Sequence, residues 1–408
     1  MALIKPELSL LTAPWRRTLL VTTVAQMCAM IGFSSVFPFL PLYVHELGSS
    51  LGMDEGILAG LVYSGQAFTM MLASPLWGSL ADRYGRKMMV ERSMFGGALL
   101  LVVMAFVRSA EQLVLLRMLQ GLITGTAGAA NALVAAVVPR ERMGYAMGLL
   151  QVAAGAGLAV GPLIGGATAD AFGYRAAFYV TGAMLFLGGT VVLFGVKEHF
   201  KPPLAPGKAG FGFLTECHSI LASPNVSATY AMRFINQLSR MIIIPVLPLL
   251  IVNIAVNASK ANTLTGLVVG AASAAATLAG LMLGKIGDRI GHRKILIACS
   301  IGAGLLFLPQ SLVTAPWQLV VLHTLAGAAA GGIVPAISAL LASCTRPGQE
   351  GAVYGLDNSV GSGARAVAPM LGVTIAALTG VRSVFAATGL VYFCAAAIAL
   401  WILKPTRG

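Results

Sequence analysis

The sequence predicts an all-α membrane protein built from two copies of one design. Three observations carry this. Of the 408 residues, 57% are hydrophobic and only 10% charged, with a mean hydropathy of +0.85. A water-soluble globule cannot hide that much apolar surface. The apolar residues gather into stretches of about 20, long enough to cross about 30 Å of hydrocarbon as helix. Landmarks of the first half then return in the second. Gly78-Ser-Leu-Ala-Asp82-Arg83-Tyr-Gly85-Arg86-Lys87 reappears 206 residues later as Gly284-Lys-Ile-Gly-Asp288-Arg289-Ile-Gly291-His-Arg293-Lys294. Pro38 and Pro41 return as Pro245 and Pro248, and Gly161-Pro162 returns as Ala368-Pro369, both at an offset of 207.

Twelve spans are expected: 17–42, 56–80, 88–107, 112–137, 144–168, 175–195, 225–251, 262–284, 295–312, 317–341, 351–377 and 382–403. They divide into a first half (1–196), a linker (197–224) and a second half (225–408). Span 1 follows an interfacial Trp15-Arg16-Arg17 anchor. It carries Pro38 and Pro41 near its far end, where two lost backbone donors should bend or unwind the helix. Span 7 repeats the pair; both ends read either as fixed kinks or as flexible ends of a gated cavity. No cleavage pattern follows span 1, so it is expected to stay as a helix. Span 5 places Ala153, Gly157, Gly161 and Gly165 four residues apart, clearing one face for close contact with another helix. Span 11 keeps that face as Ala364, Ala368 and Gly372. The linker is rich in Pro, Gly and Lys, and its residues 211–222 read as plain linker or as a short surface helix. The five cysteines are scattered without a C-x-x-C pair and read as packing residues.

The net charge of +13 does not point to nucleic acid. With the N-terminus placed in the cytoplasm and sides alternating, 19 of 27 Lys/Arg fall on or beside cytoplasmic segments. That is the positive-inside asymmetry, with both termini cytoplasmic.

Charges at bilayer depth are costly and call for a protein-lined or watery setting. Arg117, Arg233, Arg240 and Arg365 fall inside spans 4, 7, 7 and 11. Arg117 and Arg365 read as cavity or gate residues, Arg240 divides between cavity and packing, and Arg233 sits close enough to an end to snorkel. Gln26, Asn236, Gln237 and Asn358 add uncharged polar groups. Asp357, Gly361 and Arg365 share one helical face. Asp357 is the one acid clearly inside a span. The loop motif reads either as topology-setting charge or as a gate. In the gate, Asp82 accepts hydrogen bonds from Arg83 and Arg86 or from a helix N-terminus across the seam between halves. His323 stands in span 10 where Arg117 stands in span 4. It reads as a simple hydrogen-bonded histidine or as a proton carrier. No nucleophile–base set, metal-ligand spacing or phosphate loop is present, so no enzyme activity, metal or cofactor is expected.

These residues resemble the major facilitator superfamily over nearly the full chain, and its drug:proton antiporter branch in particular. Gly78 to Lys87, with Asp82, Arg83, Gly85 and Arg86, is similar to the family's loop motif. Leu113 to Gly125, with Arg117, Gln120 and Gly121, is similar to its helix-4 motif. Gly157, Gly161, Pro162, Gly165 and Gly166 are similar to its helix-5 antiporter motif, a sign of export more than uptake. The resemblance implies two pseudo-symmetric six-helix bundles rocking around a midplane cavity. It also implies an inner gate built on Asp82, Arg83 and Arg86, proton coupling at Arg117, and a monomer in a bacterial inner membrane.

Many relatives carry an acid within span 1, where this chain has only Gln26. The proton-carrier candidates are therefore Asp357, His323, Asp82 and Arg117, with Asp288 and Arg289 as the second copy of the gate. The preferred reading is a proton-driven exporter of drug-like amphipathic molecules. Net positive cavity charge favours anionic, zwitterionic or neutral ones. The alternatives are a proton-linked carrier for one metabolite such as a sugar or organic anion, and a non-transporting membrane receptor. The receptor reading predicts a sizeable soluble output segment.

Overall fold

The computed structural model describes residues 14–139, 142–196, 198, 224–255, 258–344 and 350–401. Most of the linker and its proposed surface helix lie outside them, as do the side chains of Gly78 and Asp82. Among the described residues the secondary structure is helical, with no strand. In the first half, α1 (Pro14–Ser35) and α2 (Leu40–Leu47) form span 1, α3 (Glu55–Tyr84) span 2 and α4 (Arg86–Met104) span 3. Span 4 is α5 (Ala110–Ile123) with α6 (Thr126–Val137), span 5 is α7 (Met143–Phe172) and span 6 is α8 (Tyr174–Gly195).

The second half repeats the order. Span 7 is α9 (Pro224–Met241) with α10 (Leu247–Ile254), span 8 is α11 (Ala261–Ile290) and span 9 is α12 (His292–Phe307). Span 10 is α13 (Pro316–Ala330) with α14 (Ile333–Cys344), span 11 is α15 (Glu350–Thr379) and span 12 is α16 (Ser383–Trp401). Among the described residues, ten stretches are long and apolar enough to cross a membrane on their own. The two spans outside that set are span 3, with Arg86, Lys87, Glu91 and Arg92 at one end, and span 7, which is divided and polar.

Spans 1 and 7 break where their prolines predict, between Ser35 and Leu40 and between Met241 and Leu247. Two further breaks fall at glycines, and at the first the backbone is one that other residues resist. Gly125, at φ +148°, separates α5 from α6. The Gly331-Gly332 pair separates α13 from α14.

The glycine face of α7 packs on α1. A methyl group at Gly157 would meet Met30 and the Met27 carbonyl, at Gly161 Ser34, and at Gly165 the Ser35 carbonyl. Gly372 of α15 meets the Ile242 carbonyl of α9 in the same way, so spans 11 and 7 copy spans 5 and 1. Gly165→Val forces a branched side chain into backbone, which cannot rearrange like a side chain. The variant is expected to lose about 3 kcal/mol of stability, read as a lowered thermal midpoint of the purified protein.

The halves meet along two seams, α7 against α11 and α3 against α15. At the first, Gly155 faces Thr277, Gly270 faces the Ala159 carbonyl, Gly266 the Pro162 carbonyl and Gly166 the Asn262 carbonyl. Gly144 and Gly148, further toward the start of α7, would meet nothing within 4 Å. The two helices therefore touch from their middles to one end and splay at the other. The splayed end carries both loop motifs. The closed end carries the Pro38 and Pro245 breaks, where Phe39 meets Phe178 edge to face at 5.2 Å.

Candidate functional site

Between the halves lies a cavity of about 840 Å³ that widens toward the splayed end. Arg117, Arg240 and Arg365 line it together with His323, Gln237 and Asn358. Among the described residues that line it there is no Asp or Glu, and the fixed charge they supply is positive. The remaining wall is largely apolar and soft. Met30, Met70, Met147 and Met241 reach it from spans 1, 2, 5 and 7, and Phe33 and Phe37 close its top. Unbranched thioethers adapt to differently shaped partners, which suits a site that accepts several.

Arg117 is 1% exposed and held at both sides of its fork. It donates Nε–H to the Val62 carbonyl at 3.4 Å and Nη1–H to Gln120 Oε1 at 2.7 Å. Gln66 Nε2 donates to the same Gln120 oxygen at 3.3 Å, joining spans 2 and 4 through one buried acceptor. Nη2 has no protein partner. A buried donor without a partner is costly, and an anionic group in the cavity would answer it. Arg365 is placed similarly, with Nη2 donating to Ser362 Oγ at 2.8 Å and Nε unpartnered.

His323 has a defined tautomer. Gln310 is fully buried and donates Nε2–H to the Leu306 carbonyl at 3.0 Å, which turns its Oε1 toward His323. The His323 Nδ1 at 2.9 Å must therefore carry the proton, leaving Nε2 with the free lone pair. The ring stands edge to face on Phe307 at 5.6 Å, and Phe307 is stacked on Tyr392.

Other sequence candidates lie elsewhere. Gln26 is 4% exposed and Asn236 2%, and both sit behind the cavity wall. Asp357 also lies off the wall, paired with Arg233 at 3.3 Å between α15 and α9 of the same half. The structure thus gives Arg233, read from sequence as close enough to an end to snorkel, a carboxylate partner within its own half. At the loop motif, the Asp82 side chain lies outside the described residues. Arg83 stacks over Tyr84, and Gly85, at φ +97°, makes the turn into α4. The carboxylate at the N-terminus of α4 belongs to Glu198, which accepts from the Arg86 and Lys87 amides at 3.1 and 2.8 Å. In the second copy, Asp288 pairs with His292 at 3.2 Å and Arg289 is exposed.

Sequence reasoning missed the methionine lining and the stacking of Arg92 on Trp77, whose ring centre lies 3.2 Å from the guanidinium carbon. Neither leaves a periodic trace. One or two methionines in a span look like ordinary core, and Trp77 and Arg92 belong to different helices.

The description Major Facilitator Superfamily matches residues 22–232 and 229–408. Among curated proteins, the multidrug resistance protein MdtG of Enterobacter lignolyticus is 36% identical over 378 residues, covering 92% of this chain and 90% of its own. The MdtG of Salmonella arizonae is 37% identical over 381 residues, covering 93% of this chain and 94% of its own. Among solved structures, a bacterial homologue of the human lysosomal transporter Spinster, in an inward-facing and unoccupied conformation, superposes with a TM-score of 0.78. It is 15% identical and covers 96% of this chain and 97% of its own. The human organic anion transporter MFSD10 superposes with a TM-score of 0.69 at 19% identity, covering 95% of this chain and 99% of its own. At these identities the two structures establish the fold alone.

Proposed function

The chain belongs to the major facilitator superfamily, and from that premise we propose that it exports drug-like amphipathic molecules from the cytoplasm in exchange for protons. The cavity is the observation that supports this most directly: large, soft-walled, ringed by arginines and, among the described residues, without a lining carboxylate. Such a site favours anionic, zwitterionic or neutral amphiphiles over lipophilic cations. The relatives named for multidrug resistance agree with export. Positive-inside charge places the loop motifs, and with them the open end of the cavity, on the cytoplasmic face of a bacterial inner membrane. Both termini then lie in the cytoplasm. In this orientation the structure is the loading state, in which a compound enters from the cell interior.

Export against a gradient needs a driving force, and a proton moving inward contributes about 2.3 kcal/mol per 100 mV. Of the four candidate carriers, Arg117 stays a cation, and Asp357 is held by Arg233 off the cavity. His323 lines the cavity and offers Nε2 as the atom that takes a proton. Asp82 belongs to the loop motif at the splayed end and fits the gate better than the carrier. The chain works as a monomer in this reading, since each cavity is formed within one copy.

Transport by the purified protein in proteoliposomes with an imposed pH gradient tests the proposal. Movement of labelled anionic and neutral amphiphiles opposite to the proton is the expected result. Flux along with the proton, or of a single metabolite only, would replace export with uptake by a specific carrier. Arg365→Ala is expected to raise KM for the anionic compounds about tenfold, the loss of one charge-assisted contact, while leaving neutral ones nearly unchanged. Equal effects on both classes would remove Arg365 from substrate selection.

A further inference from the structure

A polar contact that belongs to neither loop motif bridges the closed end. Asp170, near the end of α7, reaches across the seam to the start of α11. Its Oδ1 accepts from Asn262 Nδ2 at 2.7 Å. Its Oδ2 accepts from the Thr263 backbone amide at 2.7 Å and from Thr263 Oγ1 at 2.6 Å. All three donors lie in the first turn of α11, where unpaired amides and the helix dipole favour an anion.

The internal repeat shows what is unusual here. Thr263 and Ile57 are equivalent positions, related by the same 206-residue offset as the loop motifs. Both are the third residue of a long helix at the closed end. In α3 the Ile57 amide is capped from its own chain segment, by Asp54 at 3.0 Å. In α11 the position equivalent to Asp54 is Lys260, which gives no side-chain cap. The capping carboxylate comes instead from Asp170 of the other half. One helix therefore keeps its cap whatever the halves do, and the other has it only while the seam is shut. Among the described residues the second seam shows no such contact: Gly56 faces Val373 and Gly60 faces Met370, apolar against apolar.

We propose that Asp170 is the latch of the closed end, a carboxylate on α7 that caps α11 across the seam and must release it for the cavity to open outward. The inference rests on the reading that the halves alternate, but not on any substrate. Opening would exchange three charge-assisted bonds for water at both Asp170 and the α11 N-terminus. The latch thus sets the balance between the two orientations without touching cargo. Asp170 is a positioning residue in this scheme.

Hydrogen-exchange mass spectrometry on the full chain in lipid nanodiscs tests it. Asp170→Asn keeps the shape and removes the charge. Thr263→Val removes the hydroxyl donor and leaves the backbone amide, so a fold defect in one variant does not silence the other. The readout is the far seam, residues 55–62 and 368–376, which Asp170 does not touch. Asp170→Asn is expected to speed exchange there at least threefold, and Thr263→Val to do so more weakly. Faster exchange confined to the first turn of α11 would reduce Asp170 to a local cap and overturn the proposal, as would no change anywhere. Absence of flux in proteoliposomes would count against the exporter reading and leave this result standing.

Discussion

Arg117→Lys lowers pH-driven flux about a hundredfold while the protein still inserts and purifies: this is the expected result, for geometric reasons. The guanidinium at this position serves two acceptors on different helices, the Val62 carbonyl and Gln120 Oε1. It keeps a third nitrogen free. A planar fork makes these contacts at once, whereas an ammonium is a point charge on a flexible stem. Lysine keeps the charge and loses the arrangement. A hundredfold corresponds to about 2.7 kcal/mol, within the range of one or two hydrogen bonds to a charged group. Arg117→Ala should be worse, because it removes the charge as well as the fork and leaves Gln66 as the remaining donor to Gln120 Oε1, and its thermal midpoint should fall as well. Comparing flux with thermal midpoint for the two variants separates the roles. If lysine retained most of the flux, position 117 would supply charge alone and Gln120 would have no part in orienting it.

The sequence made much of this fold legible, for identifiable reasons. Span positions follow from apolar length, and the breaks in spans 1 and 7 follow from proline, whose effect is local. That α7 offers a face for close helix packing was readable from its four-residue glycine spacing, whereas its partner α1 was not. The breaks at Gly125 and Gly331-Gly332 were not, since 48 glycines make any one of them uninformative. The cavity arginines stood out because charge in a span demands a reason. Which polar residues face the cavity was not readable for Gln26 and Asn236, because facing depends on which neighbour each helix meets. Asp170 passed unnoticed as an acid just beyond the end of span 5. Its partners lie 92 and 93 residues away, and only the tertiary fold brings the first turn of α11 to it.

The ion pair between Arg233 and Asp357 is expected to show the second large effect, in stability. The two side chains meet at 3.3 Å, with 23% and 12% of their side-chain surface exposed, in the interior of the second half. Removing one partner leaves the other's charge without compensation, at a cost of about 3–5 kcal/mol. Asp357→Leu or Arg233→Met alone should therefore purify poorly or unfold at a clearly lower temperature. The double variant removes both charges and fills the space with apolar atoms, a replacement that is often neutral or stabilising. It should regain most of the lost stability. Its transport then decides what the pair is for. With His323 as the carrier, the double variant should keep pH-driven flux, since Asp357 lies off the cavity wall. A stable double variant that exchanges substrate down its own gradient but ignores the pH gradient would move proton carriage to Asp357. Arg233 would then be the counter-charge that sets when Asp357 accepts a proton, and His323 a hydrogen-bonded part of the wall.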